Sequence, residues 1–167
     1  MGYIIRAMKP QDAKAFIELL QTTDAESNFM LQEPGERQMN SFQLRMAVAT
    51  GIHRIFLAVE EESGRFIGHI AGSFPYGRGE RIKHAMHIGI SVLKEFWGQG
   101  LGNALFAALE DWSQENGIHR LELTVMTHNE RGVALYKKRG FEIEGTKKHS
   151  ARVNGEYIDE YLMAKLF

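Results

Sequence analysis

The chain has 167 residues, a formal net charge of −1, 44% hydrophobic and 25% charged residues, and no cysteine. That size and balance predict one globular domain over residues 1–167 and exclude a disordered chain, while near-neutral charge argues against nucleic acid or an anionic membrane as partner. The missing cysteines exclude a disulfide scaffold, a thiolate zinc site and a cysteine nucleophile, no apolar run reaches the roughly 18 residues of a membrane-spanning helix, and Met1 to Arg6 lacks the apolar region of a signal peptide, so the expectation is a cytoplasmic protein.

Tyr3 to Arg6 reads as a short strand, and Pro10 opens a helix carrying Ala13, Phe16, Ile17 and Leu20 at helical spacing. Glu26 to Arg37 contains Pro34-Gly35 and reads as a loop, with a second helix from about Glu36 to Thr50. Arg54–Val59 and Phe66–Gly72 are predicted strands joined by the hairpin turn Glu60–Arg65. A strand from Lys83 to Val92 leads into a glycine loop, and the loop opens a helix with Leu101, Leu105, Ala108, Leu109 and Trp112 on one face. Leu121–Val125 is a further strand, and Glu130–Arg139 is a short helix stopped by Gly140. Phe141–Arg152 and Tyr157–Leu166 are closing strands around Asn154-Gly155, a strong hairpin signal. The order β-α-α-β-β-β-α-β-α-β-β predicts an α+β fold: a central mixed twisted sheet of about seven strands flanked by about four helices, its middle β-α-β unit parallel and right-handed.

An apolar strand that ends in a glycine loop opening a helix presents free N–H groups and the positive end of a helix dipole to an anion, so a phosphorylated cofactor is expected. The P-loop pattern G-x-x-x-x-G-K-[ST] is absent. The dinucleotide fingerprint G-x-G-x-x-G fails because Asn103 stands where its third glycine would fall. Trp97-Gly98-Gln99-Gly100-Leu101-Gly102 instead resembles the pyrophosphate loop [RQ]-x-x-G-x-[GA] of the Gcn5-related N-acetyltransferase (GNAT) superfamily, departing only at Trp97. Asn129 to Phe141 resembles that superfamily's N-x-x-[AS]-x-x-[LF]-Y-x-x-x-G-F, with Gly132 at the small-residue position. Gly140–Thr146 and Asn154–Ala164 are similar to a narrower bacterial subgroup of YhhY-type amino-acid N-acetyltransferases and ribosomal-protein-modifying relatives. On the loop alone, a turn that merely joins strand to helix is the alternative.

The resemblance implies direct transfer of acetyl from acetyl-CoA to a primary amine, with no covalent enzyme intermediate, no metal, and the superfamily's habit of homodimers. It assigns cofactor binding to Ile90, Ser91 and Val92 before the loop, to Trp97, Gly98, Gln99, Gly100, Leu101, Gly102, Asn103 and Ala104 within and after it, and to Asn129 and Tyr136. Tyr136 is the expected general acid for the departing thiolate, with a core aromatic as its alternative; Asn129 is equally suited to cap the helix that follows it. His84 is the candidate general base, followed by His87 or a water chain. Glu33 or Glu36 suits an acceptor's ammonium and Arg37 its carboxylate, and the alternative there is a solvated loop. Lys137-Lys138-Arg139 and Lys147-Lys148-His149 suit the 3′-phosphate of coenzyme A or a solvated face. The expected acceptor is an amino acid or related small metabolite. Alternatives are a protein N-terminus, a polyamine or an aminoglycoside, and, from another class, a non-catalytic acyl-CoA-binding regulatory domain.

Overall fold

The computed structural model describes residues 2–167. Its strands are β1 (Tyr3–Ala7), β2 (His53–Glu60), β3 (Phe66–Ser73), β4 (Ala85–Val92), β5 (Arg120–Met126), β6 (Glu142–Val153) and β7 (Glu156–Leu166), and its α-helices are α1 (Ala13–Glu26), α2 (Ser41–Ala49), α3 (Leu101–Glu115) and α4 (Glu130–Lys138). The strands form one sheet in the order β1-β2-β3-β4-β5-β7-β6. Only β4 and β5 run parallel, which is the geometry a helical crossover through α3 requires.

The two faces of the sheet are covered by different helices. His69 on β3 meets Phe16 of α1 edge to face at 4.9 Å, whereas Arg54, in register with Gly72, lies over Trp112 of α3. Residues 69 and 72 point to opposite sides of a strand, so α1 and α3 do too. Leu101, Leu105, Phe106 and Leu109 give α3 the buried stripe that its spacing predicts. Asn154 and Gly155 both take positive φ, 51° and 85°, the two-residue turn expected between β6 and β7.

Two boundaries differ from the sequence reading. The second helix starts at Ser41 instead of Glu36, because the Asn40 side chain accepts from the N–H groups of Phe42 and Gln43. Glu36 is used earlier, its carboxylate accepting from the Glu33 N–H in a closed turn. The strand expected from Lys83 begins at Ala85, leaving His84 in the preceding turn, where its carbonyl accepts from His119 and Arg120.

Three buried polar groups tie the elements together. Glu110 of α3, 5% exposed, pairs with Arg139 after α4 and with Lys165 of β7 at 3.1 Å. Asp24 of α1 takes both Nε and Nη2 of Arg37 at 2.6 and 2.8 Å. Beneath α1, Thr23 donates to the Leu20 carbonyl, Ser91 of β4 lies 3.3 Å from the Thr23 hydroxyl, and His69 Nδ1 lies 2.9 Å from Ser91 Oγ. A hydroxyl has one proton to give. With Thr23 donating to a carbonyl, Ser91 Oγ bridges the Thr23 hydroxyl and His69 Nδ1. Burial, aided by the positive charge of Arg37, lowers the His69 pKa to about 3.

Removing Glu110 leaves two cations sharing no carboxylate. Glu110→Ala is expected to cost about 2 kcal/mol, seen as a fall of roughly 4–8 °C in melting temperature for a chain of this size. His69 makes the fold acid-sensitive. An unfolded imidazole takes up a proton as pH falls below about 6.5, and the folded one does so only near pH 3, so the unfolded state binds more protons across that window and stability declines as pH falls through it. In His69→Asn the side-chain amide replaces the hydrogen bond to Ser91 without titrating. Its melting temperature is expected to fall less steeply between pH 6.5 and 4 than that of the wild type.

Candidate active site

β4 and β5 are paired only at Ala85–Arg120, Met86–Leu121 and His87–Glu122. Beyond those positions β4 stays with β3 and β5 stays with β7, so the two strands part. The gap opens into a cavity of about 490 Å³ walled by Ile90, Ser91 and Val92 of β4, the loop after it, Asn129, and Tyr136 of α4. Thr23, Glu26, Phe29 and Met30 close its other side from α1 and the segment beyond.

The glycine loop is shaped for an anion. Gly98 and Gly100 have φ of 76° and 87°, the left-handed region in which a side chain is strained. The N–H groups from Gly98 to Asn103 donate to no described protein group, and Ala104 is the first to find a partner, the Gly100 carbonyl at 3.1 Å. Six consecutive free donors at the start of a helix suit a diphosphate. Gly102 answers to space instead: a Cβ there would lie 2.9 Å from Leu135 Cδ2, so its absence lets α4 approach α3. Trp97, at the position that departs from the family pattern, donates its indole N–H to the Val92 carbonyl at 2.7 Å, and the Arg131 guanidinium lies 4.5 Å over its ring.

Asn129 caps α4, its Oδ1 accepting from the Gly132 N–H at 3.0 Å. A Cβ on residue 132 would stand 2.7 Å from the Asn129 amide nitrogen, so glycine leaves the cap side chain unhindered. Tyr136 packs edge-on against Phe106, at 5.9 Å, and beside Phe141. Burial pushes its phenol up to about 12, and its hydroxyl has no hydrogen-bond partner among the described residues. Such a group stays protonated at any physiological pH and is free to donate into the cavity.

Most of the residues singled out from the sequence line this cavity: Ile90, Ser91, Val92, Trp97, Gly98, Gly100, Leu101, Gly102, Asn103, Asn129 and Tyr136. Gln99 and Ala104 do not, and the Gln99 amide turns back to the Glu95 carbonyl. His84 and His87 lie toward the paired end of β4 and line neither this cavity nor its neighbour. Arg37 is already held bidentately by Asp24 and lines neither cavity. Glu33 lines a second cavity of about 400 Å³, which shares Ser27 and Met30 with the first and is also walled by Glu36 and by Ser150 to Val153 of β6. Of the basic runs only Lys138 reaches the first cavity; Arg139, Lys147 and Lys148 are paired with Glu110, Glu160 and Asp159. Thr23, Glu26, Phe29, Met30 and Arg131 were not legible as site residues, because long-range folding brings them there. Among the described residues no group of three or more His, Asp and Glu side chains is arranged to hold a metal ion.

The family model described as "Acetyltransferase (GNAT) family" matches residues 16–141. The chain is 30% identical over 167 residues to the L-amino acid N-acetyltransferase AaaT of Escherichia coli K12, covering 98% of this chain and 97% of that one. It superposes on a GNAT-family acetyltransferase from Streptococcus pneumoniae with a TM-score of 0.92 and 30% identity, over 99% of this chain and 100% of the other. A phosphinothricin acetyltransferase from Sinorhizobium meliloti, solved in complex with acetyl-CoA, shares the fold with a TM-score of 0.83 at 20% identity, over 100% and 89% of the two chains. A parted β4–β5 pair, a loop of free N–H donors beneath it and a family match running through both therefore converge on one conclusion: this chain belongs to the GNAT family and is an N-acetyltransferase that takes its acetyl group from acetyl-CoA.

Proposed function

We propose that the enzyme acetylates the α-amino group of a free amino acid, by direct attack of the amine on the thioester. The observation that carries this reading is the second cavity, which adjoins the first through Ser27 and Met30 and holds charges of both signs. Glu33 and Glu36 come from the loop after α1 and Arg152 from β6. A zwitterion needs both signs, and Arg152, which forms no ion pair with a described residue, takes the carboxylate role expected of Arg37. The Escherichia coli relative, an L-amino acid N-acetyltransferase, supports the same acceptor class.

In this reading Gly98 to Asn103 hold the diphosphate, and the β5-facing groups of Ile90 to Val92 align the pantetheine arm. Tyr136 donates to the sulfur as the carbon–sulfur bond breaks. A phenol near pKa 12 is a weaker acid than a thiol near 8.5, so Tyr136 stabilises the thiolate chiefly by hydrogen bonding, and the thiol completes its protonation from water. The ammonium proton leaves through water toward Glu26, the carboxylate that lines the first cavity. His84 and His87 have no part in that route. Residence in the cytoplasm and a homodimer complete the proposal; Leu162 and Leu166, exposed on one face of β7, favour a second copy there.

The testing experiment is thiol release from acetyl-CoA over a panel of free amino acids, polyamines, aminoglycosides and N-terminal peptides. Turnover concentrated on free amino acids is expected; turnover confined to peptides would move the acceptor to a protein N-terminus. Arg152→Ala is expected to raise the KM for an amino acid by roughly ten- to a hundredfold and to leave the KM for acetyl-CoA unchanged. Tyr136→Phe is expected to lower kcat by about a hundredfold or more. Because Tyr136 stays protonated to about pH 12, the wild-type kcat shows no decline attributable to it between pH 7 and 10. An unchanged kcat in the phenylalanine variant removes Tyr136 from the mechanism.

A further inference from the structure

Trp97 stands where the pyrophosphate loop of this family ordinarily carries Arg or Gln, and an indole has no charge to offer a phosphate. The structure holds a cation at that place by another route. The Trp97 ring is fixed by its N–H bond to the Val92 carbonyl at 2.7 Å, and its face carries the Arg131 guanidinium at 4.5 Å, within reach of a cation–π attraction. Trp97 and Arg131 both line the first cavity, next to Gly98 and Gly100.

Arg131 is available for an anion. It makes no ion pair and no side-chain hydrogen bond with any described residue, whereas Arg139 and Lys165 nearby are both committed to Glu110. Its backbone is set by the first turn of α4, which the Asn129 cap holds in place. The tight contact of Gly102 with Leu135 brings that turn up to the loop. A guanidinium stacked on a fixed ring has lost much of its rotational freedom before any ligand arrives, and it keeps its planar edge for bidentate contact with phosphate oxygens.

We propose that Arg131, shelved on Trp97, is the cationic ligand of the acetyl-CoA pyrophosphate in this enzyme: where the family pattern has a polar Arg or Gln side chain on the loop, a guanidinium is supplied here from α4. This inference rests on acetyl-CoA as the donor and is independent of which amine is acetylated.

The test is calorimetric binding of acetyl-CoA and of acetyl-dephospho-CoA to wild type, Arg131→Ala and Arg131→Lys, with acetyl-pantetheine turnover as the control that lacks phosphates. Arg131→Ala is expected to raise the Kd for acetyl-CoA by roughly ten- to a hundredfold and to make the remaining affinity less sensitive to salt. Arg131→Lys, keeping the charge without the fork, should recover part of the loss. The same loss with acetyl-dephospho-CoA places the contact on the pyrophosphate, and a loss that vanishes with that ligand overturns the assignment in favour of the 3′-phosphate. Acetyl-pantetheine should be turned over equally by wild type and Arg131→Ala; a matching loss there would make Arg131 a structural residue and overturn the proposal. Trp97→Phe keeps a ring but not its tether to Val92 and should weaken acetyl-CoA binding less than Arg131→Ala; binding unchanged in Arg131→Ala ends the proposal outright.

Discussion

Past His87 and Glu122, β4 and β5 share no ladder, and the larger cavity opens in the gap they leave. A parted pair in the middle of a sheet exposes backbone donors and acceptors that a continuous ladder would consume, and such groups need a partner. An extended ligand with amides of its own, such as a pantetheine arm, provides one. The parting also sets the direction of everything after it. The chain leaves β4 at Val92, turns through positive-φ glycines, and starts α3 with its unpaired N–H groups facing the mouth of the same gap. One break in pairing thus leaves both an open slot and a row of unpaired N–H groups at its mouth.

Holding the gap open requires rigid walls, and buried polar contacts supply them. On the α1 side, the chain from His69 through Ser91 and Thr23 to the Leu20 carbonyl joins β3, β4 and α1. The Asp24–Arg37 pair fastens the segment between α1 and α2, which forms one side of the second cavity. On the α3 side, Glu110 gathers one cation from beyond α4 and one from β7. None of these groups needs to touch a substrate to matter. They fix the supports from which the lining residues project, the condition for a site held to sub-ångström tolerance.

The architecture was readable because its signals are local. Helical spacing in α3, the Asn-Gly turn, and glycines at positions that demand positive φ each constrain a few neighbouring residues, and those constraints survive folding unchanged. The site was readable to the extent that it is made of the same segments, hence Ile90 to Val92, the loop, Asn129 and Tyr136. What escaped notice depends on distance in the chain. Arg37 looked like a free guanidinium because its partner is thirteen residues back, buried in α1. His84 reads as the start of a strand face, yet its carbonyl is engaged by His119 and Arg120 and it lines neither cavity. Arg131 carries no signal of its own, since its significance comes from an indole on another element.

Gly102 belongs to the loop motif and Leu135 to the α4 motif, and in the folded chain they meet with no room for a methyl group between them. The two motifs are therefore parts of one hinge-free block whose internal clearance is set by a missing side chain. An alanine at 102 presses on the Leu135 methyl, which has to turn aside to admit it. The spacing between phosphate loop and α4 is thus set by an atom the chain does not have, and both segments inherit their separation from residue 102.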